Sequence, residues 1–221
     1  MAWRRGFVPH FLNLFPAWKS LCHDGLCAWQ EIVTLSRMSL LDGLFDEWKP
    51  ISRVAGTAWL VCYFVFLLYA FANRPHFLFV DLVNLIIHEG GHFFFSWFGE
   101  TIMILGGTLG ELLVPLLCGL YFFWHREVAG TAFCGFWFFE NFLYIGTYMA
   151  DARAQDLPLV GGGEHDWGTL FAQWGCLMQD QNIGAATRAL GWSGMLATMI
   201  WLAWRTWRDS RPQMHYLRER S

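Results

Sequence analysis

The sequence predicts an all-α integral membrane protein: a bundle of about five transmembrane helices, an N-terminal interfacial helical segment and an irregular loop before the last span. Three observations carry that expectation. Only 15% of the 221 residues are charged, against about 25% in ordinary soluble domains. Hydrophobic residues make up 55% of the chain, with 14 Trp and 21 Phe among them, and aromatics of this kind concentrate at membrane interfaces. Long apolar runs, such as Leu60 to Phe71, pass without a charged residue.

Residues 1–53 read as an interfacial cap. Arg4 and Arg5 are followed by Pro9, His10 and Pro16, with no small-residue cleavage site, so the start does not read as a cleavable signal. Glu31 to Trp48 mixes Leu and Ile with Asp, Glu and Arg, as a helix lying on a membrane does. Residues 54–207 form the membrane domain. Its expected spans are Val54 to Phe71, Phe77 to Phe98, Thr108 to Trp124, Val128 to Ala150 and Ile183 to Trp204. A Gly-rich loop at 151–182 separates the last two, and 208–221 is a basic tail. This pattern places the protein in the cell (inner) membrane as a multi-pass chain.

Orientation conflicts with the count. Both ends are rich in Arg and Lys, and basic flanks favour the cytoplasmic side. Five spans put the ends on opposite sides. Either the count is off by one, through a re-entrant piece near Glu100 to Leu109, or one basic end breaks the rule. The net charge of −3 gives no electrostatic reason for a nucleic-acid partner. The six cysteines form no CxxC pair, and Cys62, Cys118 and Cys134 lie within spans as small apolar fillers.

The second expected span contains His88-Glu89-Gly90-Gly91-His92. Residues four apart on a helix lie one above the other, so His88 and His92 can share one metal ion. Glu89 stands beside the first ligand, placed to take a proton from a water at the metal. Two imidazoles and one more protein ligand, with an open position, are what a catalytic zinc requires. Three clustered ionisable groups inside a span each cost about 2.5–3.5 kcal/mol on insertion scales, and metal coordination offsets such a cost.

Several residues compete for the third ligand. Glu140, Tyr144, Thr147 and Asp151 recur at helical spacing on an otherwise apolar span, and Asp151 ends that stripe. Glu111 lies 19 positions after His92. His165 and Asp166 belong to Gly161-Gly162-Gly163-Glu164-His165-Asp166-Trp167, a loop able to fold back over the site.

An H-E-x-x-H motif inside a span resembles the site-2-protease group of intramembrane zinc metallopeptidases, the M50-like families. The likeness covers residues 77–151. Gly106-Gly107-Thr108-Leu109-Gly110 looks like the Gly-rich segment that opens the next span in that group, and Asn141 and Asp151 look like its later-span Asn and third-ligand Asp. The resemblance implies one zinc per chain on His88, His92 and Asp151, Glu89 as base, and Asn141 near the substrate or its oxyanion. The family's Asp-Gly is replaced here by Asp151-Ala152-Arg153, so His165 and Glu111 stay open as alternative third ligands. No PDZ-like or CBS-like segment is seen.

The function expected from these residues is hydrolysis of a peptide bond in or near the membrane, in a membrane protein or peptide substrate. One alternative is a metal-dependent hydrolase of a lipid or small amide. The other is a non-catalytic metal-binding scaffold or ion-handling protein, in which Asp81, Glu111 and Glu140 line an ion path.

Overall fold

The computed structural model describes residues 47–73, 78–157 and 164–211. The chain divides into two compact units, Met1–Glu47 and Trp48–Ser221. The expected interfacial helix at Glu31 to Trp48, most of the basic tail and the glycines of the Gly161–Gly163 loop lie outside the described residues.

Six α-helices and two short 3₁₀ turns make up the second unit among the described residues, with no strand. Helix α1 is Arg53–Ala72, α2 is Asp81–Phe95, α3 is Glu100–Trp124, α4 is Val128–Ala150, α5 is Asp166–Gln173 and α6 is Asp180–Asp209. Three of them, α1, α3 and α4, are long and apolar enough to cross a membrane by length and composition.

The two remaining expected spans differ from that description. Helix α2 has 15 residues and ends in the 3₁₀ turn Ser96–Phe98, closed by Gly99 at φ +94°. At 1.5 Å per residue it reaches about 22 Å, short of a hydrocarbon core of about 30 Å. Helix α6 has 30 residues, but Asn182, Thr187, Arg188, Ser193 and Arg205 dilute its apolar character. The suggested re-entrant piece at Glu100 to Leu109 is the regular N-terminal part of α3.

Local chemistry accounts for the element ends. Ser52 caps α1 by accepting the Ala55 N–H at 3.2 Å, satisfying one of the orphan donors of the first turn. Asp81 reaches back to accept the Leu78 N–H at 2.6 Å. His165 caps α5, its Nδ1 accepting the Gly168 N–H at 3.1 Å.

Helix α3 carries Pro115 in its interior. Proline has no N–H, so the carbonyl four residues earlier, on Glu111, loses its helical donor. Asn141 of α4 replaces it, donating from Nδ2 to the Glu111 carbonyl at 2.6 Å. This bond tolerates the proline and locks α3 to α4 at one register.

Two apolar clusters hold the bundle. The larger joins α1, the first half of α4 and the second half of α6, with Tyr63 stacked on Phe136 at 4.3 Å between ring centroids. At its edge, Trp48 lies edge-on to Phe123 and Trp201, and the Arg126 and Arg205 guanidinium groups each sit 5.5 Å from its ring. The smaller cluster seats α5 through Trp167, Leu170 and Phe171 against Ile145 and Ala152. Where α4 and α6 cross, Gly146 and Gly184 face each other's backbones with no room for a Cβ, the small-residue contact common between membrane helices.

Candidate metal centre

Helix α2 turns its polar side inward. Its buried residues are Asp81, Asn84, His88 and Gly91, while Leu82, Val83, Ile86, Phe93 and Phe94 are exposed. That arrangement suits a helix whose surroundings are apolar and whose chemistry is inside the bundle. Helix α3 approaches the inward stripe very closely. A Cβ on Gly91 would fall on the Gly106 carbonyl, and one on Gly107 would fall on the His88 ring. Gly90, by contrast, faces open space.

This close approach arms both histidines. His88 Nδ1 lies 3.0 Å from Glu111 Oε1 on α3, a carboxylate that is itself fully buried. His92 Nδ1 donates to the Met103 carbonyl, also on α3, at 2.8 Å. With Nδ1 held on each ring, both Nε2 atoms face one oxygen. Asp166 Oδ2 is 2.9 Å from His88 Nε2 and 3.3 Å from His92 Nε2. The two rings stand nearly perpendicular, 4.7 Å apart between centroids.

His88, His92 and Asp166 therefore form a possible metal-binding triad, with one ligand atom from each within 4.8 Å of the others. The donor set fits a divalent ion. Neighbouring ligand atoms around a tetrahedral zinc, with bonds of about 2.0–2.1 Å, stand about 3.3 Å apart. The contacts behind the rings match what metal-binding imidazoles need, a carboxylate or carbonyl on the far nitrogen that sets tautomer and orientation. Burial raises the Asp166 carboxyl, but the hydrogen bonds to His88 and His92 outweigh it and hold the pKa at about 2. Asp166 is thus in the ionised form that a ligand requires.

The expected third ligand takes a different position. Asp151 ends α4 and accepts the N–H groups of Asp156 at 2.9 Å and Leu157 at 3.1 Å. Both of its oxygens are engaged by the turn it closes. Its one ring partner is His165, whose Nε2 lies 3.4 Å from Oδ2, an electrostatic contact longer than a good hydrogen bond. His165 is likewise turned away from the pair: it caps α5 and packs on Tyr148, with ring centroids 4.2 Å apart. Burial keeps its imidazole below the ordinary pKa, consistent with an unprotonated Nδ1 accepting from the backbone. Glu111 touches His88 on the nitrogen away from Asp166 and so supports the ring from behind.

Asn141 is fully buried; its Nδ2 donates to the Glu111 carbonyl, and its Oδ1 has no hydrogen-bond partner. Its place in the fold follows from Pro115. Glu89 is exposed.

Asp166 stands in sequence as one residue of a loop able to fold back over the site; it lies 78 positions after His88, a separation that no helical spacing rule spans. Tyr148 carries no spacing signal of its own toward the histidines. No family model, curated protein or solved structure matches this chain.

Proposed function

We propose that the protein is a multi-pass, membrane-embedded zinc metalloprotease that hydrolyses a peptide bond in or near the bilayer. The observation that carries the proposal is the convergence of His88 Nε2, His92 Nε2 and Asp166 Oδ2, with the far nitrogens of both rings held by Glu111 and Met103. The H-E-x-x-H order, with His88 in the inward-facing polar stripe, and its likeness to the site-2-protease group support the reading further.

In this reading His88, His92 and Asp166 would hold one zinc per chain. Zinc, when bound, supplies Lewis-acid polarisation of the scissile carbonyl. Glu89 is the base: it takes a proton from the attacking water and returns it to the departing amine. It cannot join the histidines on the ion, because one residue along a helix rotates the side chain by about 100°. The buried stripe of α2 keeps His88 inside the bundle, while Glu89 stands beside it on the exposed side. The substrate is a membrane protein or peptide, and α1, α3 and α4, the helices long and apolar enough to cross, enclose the shorter α2 together with α6.

The test separates zinc from turnover. Glu89→Gln keeps side-chain size and removes the base. Zinc content by elemental analysis should stay near wild type, while cleavage of the natural membrane substrate in cells falls by about 10²–10⁴-fold. Normal zinc with normal function in that variant would refute the protease.

One observation favours ion handling as a second reading. Asp81, Glu111 and Glu140 are all buried, and Asp81 Oδ1, Glu111 Oε2 and Glu140 Oε1 each lack a hydrogen-bond partner. Asn84 donates to Glu140 at 3.0 Å and accepts from Trp137 at 2.9 Å, joining part of this row. Intramembrane carboxylates of this kind commonly mark ion paths. Ion flux in vesicles that is independent of Glu89 would support this second reading over the first.

A further inference from the structure

Asp166 is the first residue of an eight-residue helix. A carboxylate delivered on so short an element holds a ligand position only if its surroundings fix it. The apolar side of α5 is seated by Trp167, Leu170 and Phe171, all buried. These anchor the helix, while the carboxylate itself is met by polar groups on α2 and α4.

Tyr148 supplies the restraint from α4. Its hydroxyl accepts the Asp166 N–H at 3.3 Å and donates to Asp166 Oδ2 at 3.4 Å, two long hydrogen bonds that reach backbone and carboxylate together. Its ring lies edge-on to His88 at 5.9 Å and against His165 at 4.2 Å. His165 in turn caps α5 through Nδ1 and faces Asp151 through Nε2. Asp151 is pinned by two backbone N–H groups. A continuous path of contacts thus runs from the end of α4 to the carboxylate that meets both rings.

We infer that Tyr148, backed by His165 and Asp151, is a positioning residue that holds Asp166 as the third metal ligand. This rests on the metal centre of the proposed function and extends it. It also gives Asp151 a role in the site that is not ligation. Outer partners of metal ligands typically contribute about 10–100-fold in affinity, and Tyr148 acts as such a partner for Asp166 as Glu111 does for His88. The oxygen is the working part: the ring alone would pack on His165 but would leave the Asp166 N–H without its Tyr148 partner and the carboxylate held by the two histidines alone.

The experiment uses the full chain purified in detergent, with zinc affinity measured by competition against a chromogenic chelator and cobalt(II) as spectroscopic probe. Tyr148→Phe, which removes only the oxygen, should weaken zinc by about 10–100-fold and shift the visible ligand-field bands of the cobalt form. The same change in an Asp166→Asn background should cause no further loss, because the clamp has nothing left to hold. His165→Asn, which preserves a capping side chain, should weaken zinc in the same direction while helix content is unchanged. Amide hydrogen exchange over α5 should quicken in Tyr148→Phe. Zinc affinity and cobalt spectrum equal to wild type in Tyr148→Phe would overturn the clamp, as would an equally large loss in the Asp166→Asn background. Wild-type protein that takes up no zinc would overturn the metal reading itself, which is a separate and recognisable result.

Discussion

Helices α1 and α2 expose similar apolar surfaces and bury opposite ones. Helix α1 turns Gly56, Tyr63, Leu67 and Ala70 inward, against α6 and α4. Helix α2 turns Asp81, Asn84, His88 and Gly91 inward, against α3 and α5. Both inward sets recur at intervals of three, four or seven, so their periodicity is the same. What differs is the work done by the buried face. In α1 it fills space with van der Waals contacts. In α2 it supplies hydrogen-bonding groups that are costly in an apolar medium and therefore have to be satisfied by partners on other helices.

Breaking α2 should abolish chemistry and spare the fold. The largest effect is expected from replacing His88 and His92 together with Ala: bound zinc should fall to background by elemental analysis, with helix content retained. Full zinc in that variant would place the metal elsewhere. Gly107→Ala comes next. The added methyl lands on the His88 ring, so zinc affinity should drop by about 10–100-fold in a chelator titration, although no ligand has changed.

Breaking α1 should do the reverse. Leu67→Ala removes a buried side chain from the larger apolar cluster and should destabilise the bundle by about 2–5 kcal/mol, read from denaturant unfolding in detergent, with zinc stoichiometry unaltered. A smaller effect tests the seam between α3 and α4. Asn141→Leu strips the donor from the Glu111 carbonyl that Pro115 cannot satisfy. It should cost about 1–3 kcal/mol for the unpaired carbonyl. If Asn141 acted on substrate, its loss would instead leave unfolding unchanged and reduce turnover alone.

The candidate site was legible in unequal parts. His88, Glu89 and His92 were readable because a helix converts a four-residue interval into a shared face. The buried stripe Asp81, Asn84 and His88 was visible for the same reason. Asp151 closes a polar stripe on a strong helix and so reads as the third ligand, whereas Asp166 follows a Gly-rich stretch with no periodicity to read. The Nδ2 of Asn141 meets a carbonyl freed by a proline 26 positions earlier on another helix, a relation visible only once α3 and α4 are side by side.

Composition and periodicity by themselves determined that the chain is helical and apolar, that Val128 to Ala150 is one helix, and that two histidines and a glutamate share a turn of α2. These properties are local: they depend on side chains within a few residues of each other and on the regular geometry of one helix. Only the tertiary structure decided which carboxylate meets the histidines, which groups hold their far nitrogens, and why Gly91, Gly106 and Gly107 have no side chain. Those are contacts between elements distant in the chain. Their register is set by close backbone packing, which nothing in the local sequence reports.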